Sequence, residues 1–260
     1  YTQTFGVPVL QHPEDLSLSA AGVMNEGAVA TALGLRGIPN AAETAVVARD
    51  LYLAELTGGH LHVQHVSTRG AVEAIARAKE RGIRVSAEAT PHHLALTEAA
   101  VRGYRTDAKM NPPLRAEEDR EAVRRGLVDG TIDLIATDHA PHHYEEKERE
   151  FDDAPFGIVG LETALGVCVR ELVETRRMSL ADLVDRLSCA PARVMRIEGG
   201  TLRPGSPADI VVLDPSERWR VDPARFRSRS RNTPFGGWEL IGRVRRTFVA
   251  GETRFEVSAS

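Results

Sequence analysis

The sequence predicts an α/β fold with parallel strands, followed by a small β module. Up to about residue 198, short apolar runs alternate with amphipathic segments of helical length, which is typical of a parallel sheet covered by helices. After Gly199-Gly200 the pattern changes to short alternating runs separated by glycine and proline, which is typical of small β structures. We therefore expect two domains, covering residues 1–198 and 199–260.

Four apolar runs of the first domain are predicted strands, and each leads into polar residues that could bind a metal. They are residues 7–11 before His12, 61–64 before His65, 85–90 before His92 and His93, and 134–136 before Asp138. Side chains alternate along a strand, so His12, His65 and Asp138 should each share a face with the apolar residues two positions before them. The carboxyl ends of parallel strands carry the active site in α/β barrels, and we expect these side chains there.

The segments between and after these strands have the apolar spacing of helices. Predicted helices cover residues 41–56, 70–79, 115–128, 159–174, 178–187 and 191–195. In the β module, residues 209–213 form a predicted strand between Pro207 and Pro215, and residues 243–249 form another.

His12, His65 and Asp138 together are the candidate metal site. A single histidine at a strand end is more often a hydrogen-bonded polar residue than a ligand. Two imidazoles and a carboxylate from separate strand ends favour a zinc-type site, which leaves one position open for water and lowers the pKa of that water to ~7.

The composition is that of a globular enzyme, and we expect it in the cytoplasm. The 260 residues are 42% hydrophobic and 27% charged with a net charge of -4, which argues against nucleic acid and anionic membranes as partners. No apolar stretch approaches the ~20 residues of a membrane span. The basic run Arg225–Arg231 is predicted to be a solvated loop or subunit contact, and Cys168 and Cys189 to be reduced core residues.

Several motifs, in this order and spacing, make the chain similar to the long-chain bacterial dihydroorotases of the amidohydrolase superfamily. They are His-Pro-Glu-Asp at 12–15, His-Val-Ser-Thr at 65–68, Met-Asn-Pro-Pro-Leu-Arg at 110–115, Thr-Asp-His-Ala-Pro-His at 137–142 and Pro-Phe-Gly at 155–157. Residues 200–209 resemble the segment in which the chain of that superfamily returns to its small β domain. The resemblance implies a (β/α)8 TIM barrel of the metal-dependent amidohydrolase type with a small C-terminal β-sandwich.

The resemblance also implies an activity, the reversible zinc-dependent cyclisation of N-carbamoyl-L-aspartate to L-dihydroorotate in pyrimidine biosynthesis. His12 and His65 would bind the more exposed, beta zinc ion. Asp138 would bind the alpha zinc ion and would also act as general base and general acid.

The same resemblance assigns the substrate contacts. Asn111 and His142 would contact the substrate, and Phe156 and Gly157 would offer backbone hydrogen bonds to its ring. The charged segment 143–153 would be a mobile loop over the site, and charge alone would also predict a solvated loop.

The His-x-His-x-Arg motif of the family's first strand is absent from the 260 residues, and four strands are half of a barrel. We therefore expect the chain to be the C-terminal part of an enzyme whose N-terminal segment supplies the remaining ligands for one or two zinc ions. A homodimer is expected, and aspartate transcarbamoylase is a candidate partner.

Two alternatives remain open at this point. The first is a hydantoinase or allantoinase, another cyclic amide hydrolase of the same superfamily. The second is a catalytically silent dihydroorotase-like scaffold that supports aspartate transcarbamoylase. The retained His12, His65, Asn111, Asp138 and His142 argue against the silent scaffold.

Overall fold

The computed structural model describes residues 1–257, whose strands form three separate sheets. The strands are β1 (Val9–Gln11), β2 (Met24–Asn25), β3 (Gly37–Ile38), β4 (Leu61–Val63), β5 (Val85–Ala89), β6 (Leu134–Ile135), β7 (Ile210–Arg220), β8 (Glu239–Val249) and β9 (Glu252–Glu256).

The main sheet is parallel, with the strand order β1-β4-β5-β6. These are the four strands predicted from the sequence, and their carboxyl ends lie along one edge. The sheet is open, since within residues 1–257 both β1 and β6 have a single strand neighbour. The small parallel pair β2-β3, between β1 and β4, was not predicted.

Helices lie between the strands of the main sheet, as in other α/β folds, and further helices precede β1 and follow β6. They are α1 (Thr2–Phe5), α2 (Leu16–Ser19), α3 (Ala28–Leu33), α4 (Asn40–Thr57), α5 (Arg69–Glu80), α6 (Pro91–Ala95), α7 (Glu117–Asp129), α8 (Tyr144–Lys147), α9 (Ala164–Cys168), α10 (Leu180–Val184) and α11 (Ala190–Met195). Shorter 3-10 segments are Glu98–Val101, Thr106–Ala108 and Pro223–Arg225, and π-helical turns follow α9 at Val169–Val173 and α10 at Asp185–Cys189. Within the described part of the chain, no helix is long and apolar enough to cross a membrane.

Local sequence explains where the long helices begin and end. The Thr68 hydroxyl accepts the Ala71 N–H and caps α5, while three acidic residues in the first turn of α7 favour its amino terminus. Gly58 and Gly130 end α4 and α7 in the left-handed conformation that glycine adopts at no steric cost. The predicted helices at 41–56, 70–79 and 115–128 are confirmed to within two residues. The predicted helix at 159–174 begins later, at Ala164.

The described residues form two buried apolar clusters, and one of them packs on the main sheet. One packs the inner faces of α4, α5 and α7 against the strands, with Val63, Ile75, Ala87, Leu127 and Ile135 at most 4% exposed. Fully burying one such side chain stabilises the fold by about 1.5–3 kcal/mol. The other cluster combines residues of the C-terminal part with residues of the preceding part of the chain, so the two parts pack directly on each other.

The described C-terminal strands form one antiparallel sheet, with the order β7-β8-β9. The predicted end of a strand before Pro215 is wrong, because β7 continues to Arg220. Pro215 lies in an irregularity of the β7-β8 pairing between Asp214 and Arg218, where the missing N–H of proline disrupts no regular ladder. The Asp214 carboxylate accepts the N–H groups of Ser216 and Glu217 there.

Candidate active site at the strand ends

His12 and His65 follow β1 and β4, and the structure brings their imidazoles into contact. His12 Nδ1 lies 2.8 Å from His65 Nε2. The rings meet edge to face, with centroids 4.5 Å apart. His12 is exposed and His65 is buried, so solvent reaches the pair from the side of His12.

His65 is held as a neutral imidazole. Burial, followed by the nearby charges of His12 and His93, lowers the pKa of His65 to about 3. Among residues 1–257, its buried Nδ1 atom has no hydrogen-bond partner. The backbone of His65 has φ 34°, a conformation that side chains rarely adopt and that is typical of functional sites.

Asp138 follows β6 and also has a positive φ, 46°. Burial and the negative charge of Glu88 raise the pKa of the Asp138 carboxyl above its usual range, while His12 acts in the opposite direction. A half-buried carboxyl at a strand end is a candidate group for proton transfer.

Glu14 joins the histidine pair to Asn111 and was missed by the sequence reasoning. Its Oε2 atom accepts a hydrogen bond from Asn111 Nδ2 at 3.0 Å and lies 3.3 Å from His12 Nε2. Burial opposes ionisation, but the hydrogen bonds from Asn111 and His12 outweigh it and lower the pKa of Glu14. Its place in the predicted His-Pro-Glu-Asp motif was the available signal.

A second polar group, also missed, lies on neighbouring strands beneath the site. His62 on β4 and Glu88 on β5 are buried, and His62 Nε2 lies 2.9 Å from Glu88 Oε2. His62 Nδ1 lies 2.8 Å from the Ser86 hydroxyl, its partner in the strand register. In-phase polar residues on two adjacent apolar runs were the signal for this pair.

His142, Phe156 and Gly157 lie together on two adjoining segments. His142 Nε2 donates to the Phe156 carbonyl oxygen at 2.8 Å. Gly157 donates its N–H to the Lys109 carbonyl, and its own carbonyl accepts from Asn232 Nδ2 and Lys147 Nζ. The backbone groups of Gly157 are thus bonded within the protein.

The charged segment 143–153 is not simply a solvated loop, because part of it is buried. It contains α8, and Lys147 and Phe151 are 6% and 4% exposed. Lys147 Nζ donates to the Pro155 carbonyl at 2.9 Å, and burial lowers the pKa of Lys147 to about 8. Lys109 Nζ donates to the carbonyls of Phe151 and Asp152.

The donors present fit a zinc-type ion in their chemistry. His65 is neutral, its Nδ1 is orphaned, and His12 adds a second imidazole. Within residues 1–257, however, no three His, Cys, Asp or Glu side chains meet closely enough to hold a metal ion by themselves. Both described cysteines are free, Cys168 fully buried and Cys189 partly exposed.

Comparison with known proteins adds three findings. Residues 24–254 match the model of the amidohydrolase family. Dihydroorotase of Syntrophotalea carbinolica is 56% identical over 258 residues, covering 99% of this chain and 60% of that protein. Dihydroorotase of Geobacter metallireducens is 54% identical, covering 98% of this chain and 60% of that protein.

A solved structure of L-hydantoinase (dihydropyrimidinase) from Arthrobacter aurescens superimposes with a TM-score of 0.86 at 30% identity. The match covers 98% of this chain and 58% of the solved one. The predicted fold class and the resemblance to dihydroorotases are confirmed by these matches. The chain spans about three fifths of the length of the relatives that it matches.

Proposed function

Because this chain belongs to the amidohydrolase family, we propose that it is the C-terminal part of a dihydroorotase. The whole enzyme hydrolyses the ring amide of L-dihydroorotate and, in reverse, closes N-carbamoyl-L-aspartate into that ring. The sequence identity of 56% to a dihydroorotase supports this substrate class.

The observation that carries the proposal is the position of His12, His65 and Asp138. All three follow neighbouring or near-neighbouring parallel strands at the edge where α/β barrels carry their active sites. His12 and His65 are in direct contact, and the charge of His12 lowers the pKa of the Asp138 carboxyl.

His12, His65 and Asp138 would hold zinc, as one ion or two, with the remaining ligands supplied by an N-terminal segment of the same enzyme. When bound, the metal supplies a Lewis acid that polarises the substrate carbonyl and makes water a better nucleophile. The orphaned nitrogen of His65 supports this assignment.

Asp138 carries the proton in this scheme. It accepts a proton as water attacks the ring carbonyl and delivers that proton to the ring nitrogen as the carbon–nitrogen bond breaks. In the direction of ring closure the same carboxylate takes a proton from the carbamoyl nitrogen as that nitrogen attacks the side-chain carboxyl carbon, and returns the proton to the carboxyl oxygen, which leaves as water. Burial and Glu88 raise the pKa of Asp138, and a bound cation would lower it, which would keep the carboxylate ionised and able to accept a proton.

Asn111 and His142 are the proposed substrate contacts, with Phe156 and Gly157 beside them. The side-chain amide of Asn111 and the imidazole of His142 offer hydrogen bonds to a polar ring or carboxylate. The missing side chain of Gly157 lets the His142 ring approach closely, because a Cβ on residue 157 would lie 2.7 Å from His142 Nε2. The homodimer and the association with aspartate transcarbamoylase are further parts of the proposal.

A hydantoinase activity is the second candidate, because hydantoinase structures superimpose with TM-scores of 0.86. Hydantoin rings and dihydroorotate both contain a cyclic amide, so the same proton transfer would serve either substrate. The identity of 30% to the hydantoinase is well below the 56% to the dihydroorotase, which favours the latter.

The test is a substrate panel on the complete protein with its metal content measured. We expect turnover of L-dihydroorotate above that of hydantoin and allantoin. Asp138→Ala should lower kcat by about 10²–10⁴-fold or more without lowering the melting temperature much. Asp129→Ala, at the exposed end of α7, is the matched control.

If the protein prefers hydantoin, the hydantoinase activity replaces dihydroorotase as the proposed function. A metal-loaded protein that turns over none of these substrates would contradict both and favour the silent scaffold. Near-normal activity of Asp138→Ala would end the assigned proton transfer.

A further inference from the structure

Asn232 lies in the segment between β7 and β8, outside the part of the chain that carries the candidate site, and it is 4% exposed. Its side chain makes three hydrogen bonds with that part. Nδ2 donates to the carbonyls of Ala140 at 2.9 Å and Gly157 at 3.0 Å, and Oδ1 accepts from the His142 N–H at 3.3 Å.

The two segments that Asn232 joins are the ones that carry His142 and Gly157. They run alongside each other, with a parallel bridge between His139 and Ile158 and an Ala140 N–H to Ile158 carbonyl bond of 3.0 Å. The backbone carbonyl of Asn232 accepts the Val159 N–H at 3.0 Å. Asn232 therefore contacts both segments at once, through its side chain and its backbone.

The support behind Asn232 is itself fixed. Pro234 accepts a hydrogen bond from the Arg105 guanidinium, and Phe235 is 1% exposed and packs edge to face on Trp238. A side chain held by packed neighbours keeps the groups that it touches in a defined geometry.

An amide is the side chain that this position requires. Two carbonyl oxygens face Nδ2 and one N–H faces Oδ1, and asparagine bonds to all three with one planar group. A carboxylate of the same size would keep the acceptor, lose both donors and place a negative charge against two carbonyl oxygens.

We propose that Asn232 is a positioning residue for substrate binding, which holds His142 and the 156–157 backbone in register from the C-terminal part of the chain. This inference rests on the proposed function, because that function makes these groups the substrate contacts. Asn232 has no assigned role in proton transfer, because its side-chain hydrogen bonds go to Ala140, His142 and Gly157 rather than to Asp138.

The test compares Asn232→Ala and Asn232→Asp with Asn25→Ala in the complete, metal-loaded protein. Asn25 is a matched control, because it is 3% exposed and also makes three side-chain hydrogen bonds, to Glu26, Glu98 and Arg115. We expect both Asn232 variants to raise KM for dihydroorotate about tenfold or more with kcat changed far less, which is the pattern of a lost binding geometry. Asn25→Ala should leave KM unchanged.

Hydrogen exchange without substrate provides a second readout, independent of turnover. Peptides covering residues 139–159 should exchange faster in Asn232→Ala than in the wild type, and Asn25→Ala should leave them unchanged. An unchanged KM in the Asn232 variants, or an equal rise in Asn25→Ala, would overturn the inference. If the wild-type protein does not act on dihydroorotate, the proposed function fails. Unchanged hydrogen exchange of residues 139–159 in Asn232→Ala would show separately that Asn232 does not hold these segments.

Discussion

Gly157→Ala is expected to displace His142 and to lower kcat/KM. An alanine Cβ at this position would lie 2.7 Å from His142 Cδ2 and Nε2 and 2.9 Å from the Ala140 Cβ. Ordinary contact begins at 3.4 Å, so the ring must move by about 3.4 − 2.7 = 0.7 Å or lose its bond to the Phe156 carbonyl. A displacement of that size in a binding group can cost about 10²-fold in activity.

The backbone of Gly157 contributes a separate effect, because its φ is 152°. An L side chain there is strained by about 1–3 kcal/mol, which lowers the free energy of unfolding. Gly199 has a φ of 146°, and in the described chain no atom beyond its two chain neighbours would lie within 4 Å of an added Cβ, so Gly199→Ala controls for the backbone strain alone.

The assay is steady-state hydrolysis of dihydroorotate by both variants, with thermal unfolding of each. We expect a lower melting temperature for Gly157→Ala than for Gly199→Ala, because the close contacts with His142 and Ala140 add to the backbone strain, and a loss of kcat/KM in Gly157→Ala alone. Wild-type kcat/KM in Gly157→Ala would refute the reasoning, and so would an equal loss in Gly199→Ala.

Two further predictions concern buried charge and pH. Glu43 is 2% exposed and accepts hydrogen bonds from the backbone and hydroxyl groups of Ser67 and Thr68, so Glu43→Gln should lower the free energy of unfolding by about 2 kcal/mol in denaturant titrations. Glu73→Gln is the control, because Glu73 lies in exposed ion pairs. An equal loss of unfolding free energy in the two variants would contradict the stabilising role of Glu43. Burial lowers the pKa of His93 to about 4, so the unfolded chain binds a proton near pH 6.5 before the folded chain does. The stability contributed by neutral His93, up to about 3 kcal/mol, should be present above pH 6.5 and lost as the pH falls towards 4; an identical pH dependence in His93→Gln would contradict this.

The arrangement of the main sheet could be predicted because it depends on local patterns. Apolar runs of strand length alternate with helices whose boundaries carry local signals, such as the Thr68 cap and the glycines after α4 and α7. The position of ligand-capable side chains after these runs then follows from the parallel direction of the strands.

The orientation of His65 and Asp138 could not be predicted from strand alternation. Both residues have a positive φ, and the strands end before them, at Val63 and Ile135. Simple alternation therefore does not extend to either side chain. Non-glycine residues adopt this conformation where tertiary contacts impose it, and those contacts are not visible in a local pattern.

Long-range polar contacts escaped prediction for the same reason. Glu14 accepts from Asn111, 97 residues away, and Asn232 donates to Ala140, 92 residues away. The charge and length of segment 143–153 predicted a solvated loop, whereas the Lys147 amine finds buried carbonyl acceptors that only the folded chain provides.

The candidate site consists of two groups of residues that are supported in different ways. His12, His65 and Asp138 follow strands of the main sheet, whose rigid core fixes their spacing. His142 and the 156–157 backbone lie on segments held by Asn232, which the C-terminal part supplies. Changes at Asn232 should therefore affect substrate binding before they affect proton transfer, because its side-chain hydrogen bonds go to Ala140, His142 and Gly157 rather than to Asp138.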